Sequence, residues 1–117
     1  MTAESECLFC KMAAGEFAVD KVYEDGTVFA IMDIAPRAPK HFLIIPNQHI
    51  ESVRSLDEGE HDALLGRMVG VANALAEQAG VKDSGFRLAF NAGDDGGQTI
   101  DHLHLHLLGG HRLGPEG

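Results

Sequence analysis

At 117 residues the chain has the length of one domain, enough to bury a modest core but not two. Its formal net charge of −9 argues against a DNA or RNA polymer as partner, because clustered Lys and Arg supply most of that affinity; a small phosphorylated ligand held by a few local donors stays open. No apolar run approaches the roughly 18 residues of a membrane span, and the acidic start M-T-A-E-S-E-C lacks the basic and apolar stretches of a secretory signal, so the expectation is a soluble cytoplasmic protein with no membrane partner.

In chain order, Cys7 and Cys10 come first, as a single C-x-x-C. Two cysteines are too few for a disulfide scaffold, and the pair reads as a metal half-site, a redox pair or neither. K-V-Y-E (21–24) and T-V-F-A-I-M-D (27–33), rich in β-branched and aromatic residues around E-D-G, predict a hairpin. The two prolines of I-A-P-R-A-P-K (34–40) break regular structure, and H-F-L-I-I-P (41–46) is the next strand. From Ser55, a possible N-cap with Glu58 three residues on, apolar residues recur at Leu64, Leu65, Met68, Val71, Ala72, Leu75 and Ala79, a helical period that ends before Gly80. Gly66 and Gly70 lie four apart on this helix, marking either close packing with another element or subunit, or a tolerated pair. G-F-R-L-A-F-N (85–91) predicts a fourth strand, the loop A-G-D-D-G-G-Q-T follows, and D-H-L-H-L-H-L-L-G-G (101–110) is the fifth. Strands interrupted by one helix, with short reversals, predict an α+β fold: an antiparallel sheet with a helix on one face, in one domain over 1–117.

The last strand carries the chemistry. Side chains alternate along a strand, so His102, His104 and His106 share one face about 6.6 Å apart, and Leu103, Leu105 and Leu107 take the other, toward the core. Three readings fit that alternation: a polar solvent face, a zinc site using the H-x-H pair, or a reactive site. The preceding G-D-D-G-G-Q-T favours the last, because its glycines let backbone N–H groups turn toward an anion and Gln98 and Thr99 add side-chain donors. A neutral imidazole is a good nucleophile toward phosphorus, and a phospho-histidine intermediate divides one hard displacement into two easier ones. The central His104 is the expected nucleophile, its other nitrogen held by an acceptor that fixes the tautomer. His106 would stabilise the phosphoryl oxygens or help protonate the leaving group, and no Mg²⁺ is required.

H-L-H-L-H-L-L resembles the motif of three alternating histidines that names the histidine triad (HIT) superfamily, and C-L-F-C-K-M, D-I-A-P-R-A-P-K-H-F-L-I-I-P, N-A-G-D-D-G-G-Q-T and H-L-H-L-H-L-L-G-G fall in the order of its Hint-like branch. The resemblance implies a HIT-like fold with a five-stranded antiparallel sheet and one main helix, its sheets joined across a two-fold homodimer. It implies attack by His104 on the α-phosphorus of a purine nucleoside phosphoramidate or related nucleotide, release of an amine, and hydrolysis of the nucleotidyl-histidine to a monophosphate such as AMP. By this resemblance Asn91, Gly97, Gln98 and Thr99, with His104 and His106, hold the phosphate, while Asp33 accepts from the ribose hydroxyls. Leu8, Phe9, Ile31 and Ile34 wall the base, and His41 supports the triad alongside His102. It also implies a structural Zn²⁺ on Cys7, Cys10, His49 and His102. His61 and His111 are expected at the surface. The tail H-R-L-G-P-E-G departs from the Trp-Pro-Pro-Gly-like ending of the branch. An alternative function is a nucleotide-binding regulatory or interaction protein with vestigial catalysis.

Overall fold

The computed structural model describes residues 6–117, so most of the acidic start lies outside the described residues. A short helix α1 (Leu8–Ala13) precedes the strands β1 (Lys21–Glu24), β2 (Val28–Met32) and β3 (Lys40–Pro46). A 3-10 turn (Val53–Ser55), helix α2 (Asp62–Gln78), β4 (Phe86–Ala89) and β5 (Leu105–Gly109) complete the order. The strands form one antiparallel sheet in the order β1-β2-β3-β5-β4. The α+β expectation of five antiparallel strands and one main helix holds.

The predicted hairpin forms because Asp25 accepts from the backbone amides of Thr27 and Val28, both at 2.9 Å, and Gly26 takes the left-handed φ of +85° that the turn requires. Alternation along β2, β3 and β5 then sorts the core into two layers. Val28, Ala30, Phe42, Ile44, Leu105 and Leu107 pack under Met68, Val71, Ala72, Leu75 and Ala76 of α2. Phe29, Ile31, Leu43 and Ile45 face the other way, against Cys7, Phe9 and Met12 of the N-terminal segment. A sheet covered on both faces explains why V-F-A-I and F-L-I-I are continuous apolar runs rather than alternating ones.

Three expectations are corrected. Helix α2 begins at Asp62, not after a cap at Ser55; its N-cap position, His61, makes no side-chain capping bond. Gly59, at φ +86°, breaks the helical run, and it is Ser52 that caps, accepting from the Arg54 amide at the 3-10 turn. The fourth strand is shorter than 85–91, and the fifth shorter than 101–110. His102, at a bend where its amide donates back to the Ile100 carbonyl, and His104 lie in the lead-in to β5 rather than in the strand: pairing with β3 ends at Ile44 opposite Leu105, and the Leu103 amide instead donates to the Ile50 carbonyl at 2.6 Å. The alternation survives this, with Leu103 in the layer under α2.

Gly66 and Gly70 lie on the exposed face of α2 with nothing within 4 Å of a built Cβ, so no packing among the described residues requires them. Among the described residues no helix is long and apolar enough to cross a membrane.

Candidate active site and metal centre

Strand β5 and its lead-in carry the three histidines on the face opposite α2, the face on which α1 packs. His102, His104 and His106 are 0%, 7% and 7% exposed, which removes the reading of a polar solvent face. Phe9 of α1 meets His102 and His104 edge-on, with ring centroids 5.7 and 5.3 Å away. His41, at the start of β3 and 1% exposed, comes in from the neighbouring strand, where Leu43 registers with His106.

Backbone partners assign the tautomers. His104 Nδ1 lies 2.7 Å from the His102 carbonyl, so Nδ1 carries the proton and donates. Nε2 of His104 therefore bears the lone pair. His102 Nε2 lies 2.8 Å from the Pro46 carbonyl and donates to it, which leaves its Nδ1 as the lone-pair nitrogen. The Arg37 amide donates to His41 Nδ1 at 3.2 Å, so His41 carries its proton on Nε2 and donates to His106 Nδ1 at 2.9 Å. His106 is thereby left with an Nε2–H donor. Asp33 Oδ2, 3.5 Å from His41 Nε2, lies just beyond this chain, and its Oδ1 accepts from the Ala35 amide at 2.8 Å.

Burial keeps all four rings neutral. Removal from water is the largest influence on His102 and His106, pushed down to about 4, and on His104 and His41, also lowered. Neighbouring imidazoles and Arg37 press His106 further down, and Asp33 opposes them. At neutral pH the site thus presents one unprotonated nitrogen, on His104, beside a neutral N–H donor, on His106, with the two rings 5.1 Å apart.

On the other side of His102, four groups converge. One ligand atom each from Cys7, Cys10, His49 and His102 can be chosen so that all lie within 4.8 Å of one another. The Cys7 sulfur is 3.3 Å from His102 Nδ1, and the Cys10 sulfur is 3.1 Å from His49 Nδ1 and 3.5 Å from His102 Nδ1. Sulfur and nitrogen ligands on a tetrahedral zinc stand about 3.5 Å apart, given Zn–S near 2.3 Å and Zn–N near 2.0 Å. The donor set fits such an ion, neither cysteine is in a disulfide, and the Pro46 carbonyl already turns the lone pair of His102 toward it.

The loop before the triad is a tight, self-bonded turn. Gly93 and Gln98 exchange backbone and side-chain hydrogen bonds, Gly97 takes φ +81°, and the Asn91 side chain donates to the Gly96 carbonyl. Gln98 differs from the expectation: its amide donates to the Glu51 and Ile100 carbonyls, so it secures the loop rather than offering a donor beside the histidines. Thr99 is exposed. Of the expected base-pocket residues, Phe9 and Ile31 are buried, Leu8 packs at the edge of the same cluster, and Ile34 is 99% exposed. Composition and spacing gave no sign of two participants, the Arg37 amide and the Pro46 carbonyl, since any residue supplies such groups. The prolines at 36 and 39 are the available signal, because they restrict the backbone around Arg37.

The chain as a whole is similar to known proteins. The HIT domain family model matches residues 14–113. A purine nucleoside phosphoramidase of Escherichia coli (strain K12) is 47% identical over 110 residues, covering 94% of this chain and 92% of that protein. Protein HitA of Neisseria gonorrhoeae is 43% identical over 103 residues, 88% of this chain and 94% of that protein. A solved HIT family hydrolase from Legionella pneumophila Philadelphia 1 superposes with a TM-score of 0.92 at 43% identity, covering 95% of this chain and 99% of that one. A histidine triad protein from Clostridium difficile superposes at 0.90 with 40% identity and 98% coverage of both chains. A family match across most of the chain, joined to relatives above 40% identity along nearly all of it, places this protein in the HIT domain family.

Proposed function

We propose that the protein is a hydrolase of purine nucleoside phosphoramidates, acting through a nucleotidyl group carried on His104. The observation that carries this reading is the pairing of His104 Nδ1–H with the His102 carbonyl, which leaves the buried, neutral Nε2 as a nucleophile. Similarity to the phosphoramidase of Escherichia coli supports the substrate class. Nε2 forms a bond to the α-phosphorus as the phosphorus–nitrogen bond to the amine breaks, and the amine leaves protonated from solvent. Water then attacks the same phosphorus, the bond to Nε2 breaks, a proton returns to solvent and the nucleoside monophosphate departs. His106 Nε2–H donates to a phosphoryl oxygen throughout, held in that tautomer by His41. Backbone amides around Gly97, with Asn91 and Thr99, complete the phosphate site, Asp33 takes the ribose hydroxyls, and Leu8, Phe9, Ile31 and Ile34 flank the base.

The same reading places a structural Zn²⁺ on Cys7, Cys10, His49 and His102, where it would crosslink the N-terminal segment to the lead-in of β5. It also pairs two copies about a two-fold axis, the open face of α2 at Gly66 and Gly70 lying near the interface. The deciding experiment incubates the protein with adenosine 5′-phosphoramidate in EDTA-treated, Mg²⁺-free buffer, quenches in acid and examines the peptide containing 101–110 by mass spectrometry. An adenylyl adduct on His104, with AMP released, is expected. Tight AMP binding with neither adduct nor turnover would instead favour a nucleotide-binding regulatory protein.

A further inference from the structure

Arg54 stands apart from the machinery described so far. It is the single Lys or Arg between Lys40 and Arg67, and the segment 88–111, which contains both the glycine loop and the triad, holds no Lys or Arg at all while carrying Asp94, Asp95 and Asp101. The fold brings Arg54 against that segment. Its Cζ and both terminal nitrogens each lie 3.1 Å from the point where a Cβ on Gly93 would sit, so the guanidinium lies flat over the glycine. Gly93 itself is at φ +69°, and a side chain there would be strained as well as in the way.

A guanidinium in this position has three properties of a ligand contact. It lies against a backbone surface rather than a carboxylate. Its residue is exposed, and among the described residues its guanidinium N–H groups enter no hydrogen bond or ion pair, the backbone amide alone donating, to Ser52. It also brings a positive charge to the glycine that precedes Asp94 and Asp95, in a loop that on the proposed reading admits a phosphate. A planar fork with open donors matches a carboxylate or a phosphoryl group in bidentate geometry.

We propose that Arg54 is a specificity-determining residue that reads a second anionic group on the leaving side of the α-phosphorus, selecting nucleoside phosphoramidates whose amine bears a carboxylate. The inference rests on the proposed phosphoramidase reading and deepens it. Arg54 touches no reacting atom in this scheme; it discriminates among leaving groups.

The test uses a pair of substrates that differ by one charge, the adenosine 5′-phosphoramidates of glycine and of glycinamide, with the full-length protein and its Arg54→Gln variant. The wild type is expected to show a higher kcat/KM for the glycine compound, and Arg54→Gln to lower the glycine-to-glycinamide ratio by about fivefold, the scale of one partly exposed charge-assisted contact. A role limited to propping the loop would weaken both substrates together and leave the ratio unchanged. That result, or a wild type without preference, overturns the proposal. Should neither compound be turned over, the phosphoramidase reading fails, and binding decides Arg54 separately. The ratio of ADP to AMP affinity falls in Arg54→Gln if the residue faces a second anion, and an unchanged ratio, or no binding of either, overturns the proposal.

Discussion

At the scale of single residues, each imidazole receives its role from a backbone group. The His102 carbonyl leaves the lone pair of His104 on Nε2, and the Arg37 amide, acting through His41, leaves His106 with an Nε2–H donor. His104→Ala removes the nitrogen proposed to attack, together with the ring's contacts to Phe9 and His106. It is expected to lower turnover by on the order of a thousandfold or more, while the protein keeps its fold and, after zinc loading, its metal, as measured by circular dichroism and elemental analysis. Metal lost together with His104 would move the ion onto the triad and contradict the assignment to Cys7, Cys10, His49 and His102. His41→Ala acts indirectly, since His106 then loses the donor that fixes its proton on Nε2. A fall in kcat of roughly 10²-fold, comparable to losing one oriented donor, is expected, with KM changed far less. The triad was legible in the sequence because period-two alternation puts residues 102, 104 and 106 on one face whatever lies around them. The tautomers were not legible. They depend on main-chain groups at 37 and 46 that reach the histidines only through the pairing of β2, β3 and β5.

At the scale of elements, the sequence conveyed types and order better than ends. The apolar period of α2 located its buried stripe at Met68, Val71, Ala72 and Leu75, but the capping signature at Ser55 and Glu58 competed with Gly59, whose left-handed backbone won. The fifth strand was overextended for a related reason: alternation reports which face a side chain takes, and an extended segment alternates whether or not a neighbouring strand pairs with it. Helix α1 is the element most dependent on the metal reading. It has six residues, below the length at which a helix persists in isolation, and Cys7 is its N-cap. Cys10→Ser, or removal of zinc by a chelator, is therefore expected to loosen residues 7–13 before the sheet. Hydrogen exchange should show amide protection lost in α1 while β2, β3 and β5 stay protected. Equal protection of α1 with and without chelator would separate its stability from the metal.

At the scale of the whole molecule, the same burial that keeps the imidazoles neutral makes the fold sensitive to acid. His41 and His106 lie outside the Cys7, Cys10, His49 and His102 set, although with Asp33 they form a second group whose potential ligand atoms lie within 4.8 Å of one another, and both titrate below the ordinary histidine value of 6.5 in the folded chain, His106 at about 4. In the unfolded chain they return to that ordinary value. Between pH 6.5 and 4 the unfolded state therefore binds more protons than the folded one, so stability falls as pH falls through this window, by up to about 1.4 kcal/mol per pH unit from His106, with His41 acting in the same direction. Above 6.5 these groups leave stability flat, and below about 4 His106 adds no further loss. The net charge of −9 works in the opposite direction, because acid relieves self-repulsion, but exposed charges are largely screened at 0.15 M salt. Urea midpoints at that ionic strength, on metal-stripped protein, should decline from pH 7 to 4.5, and the decline should be shallower in His106→Gln, which has one fewer buried ring to protonate. A midpoint that stays constant or rises over that range would mean that the histidine layer admits protons, and with them water, without unfolding. A layer that wet could not hold His104 neutral by burial, so the stability titration also tests the property on which the proposed nucleophile depends.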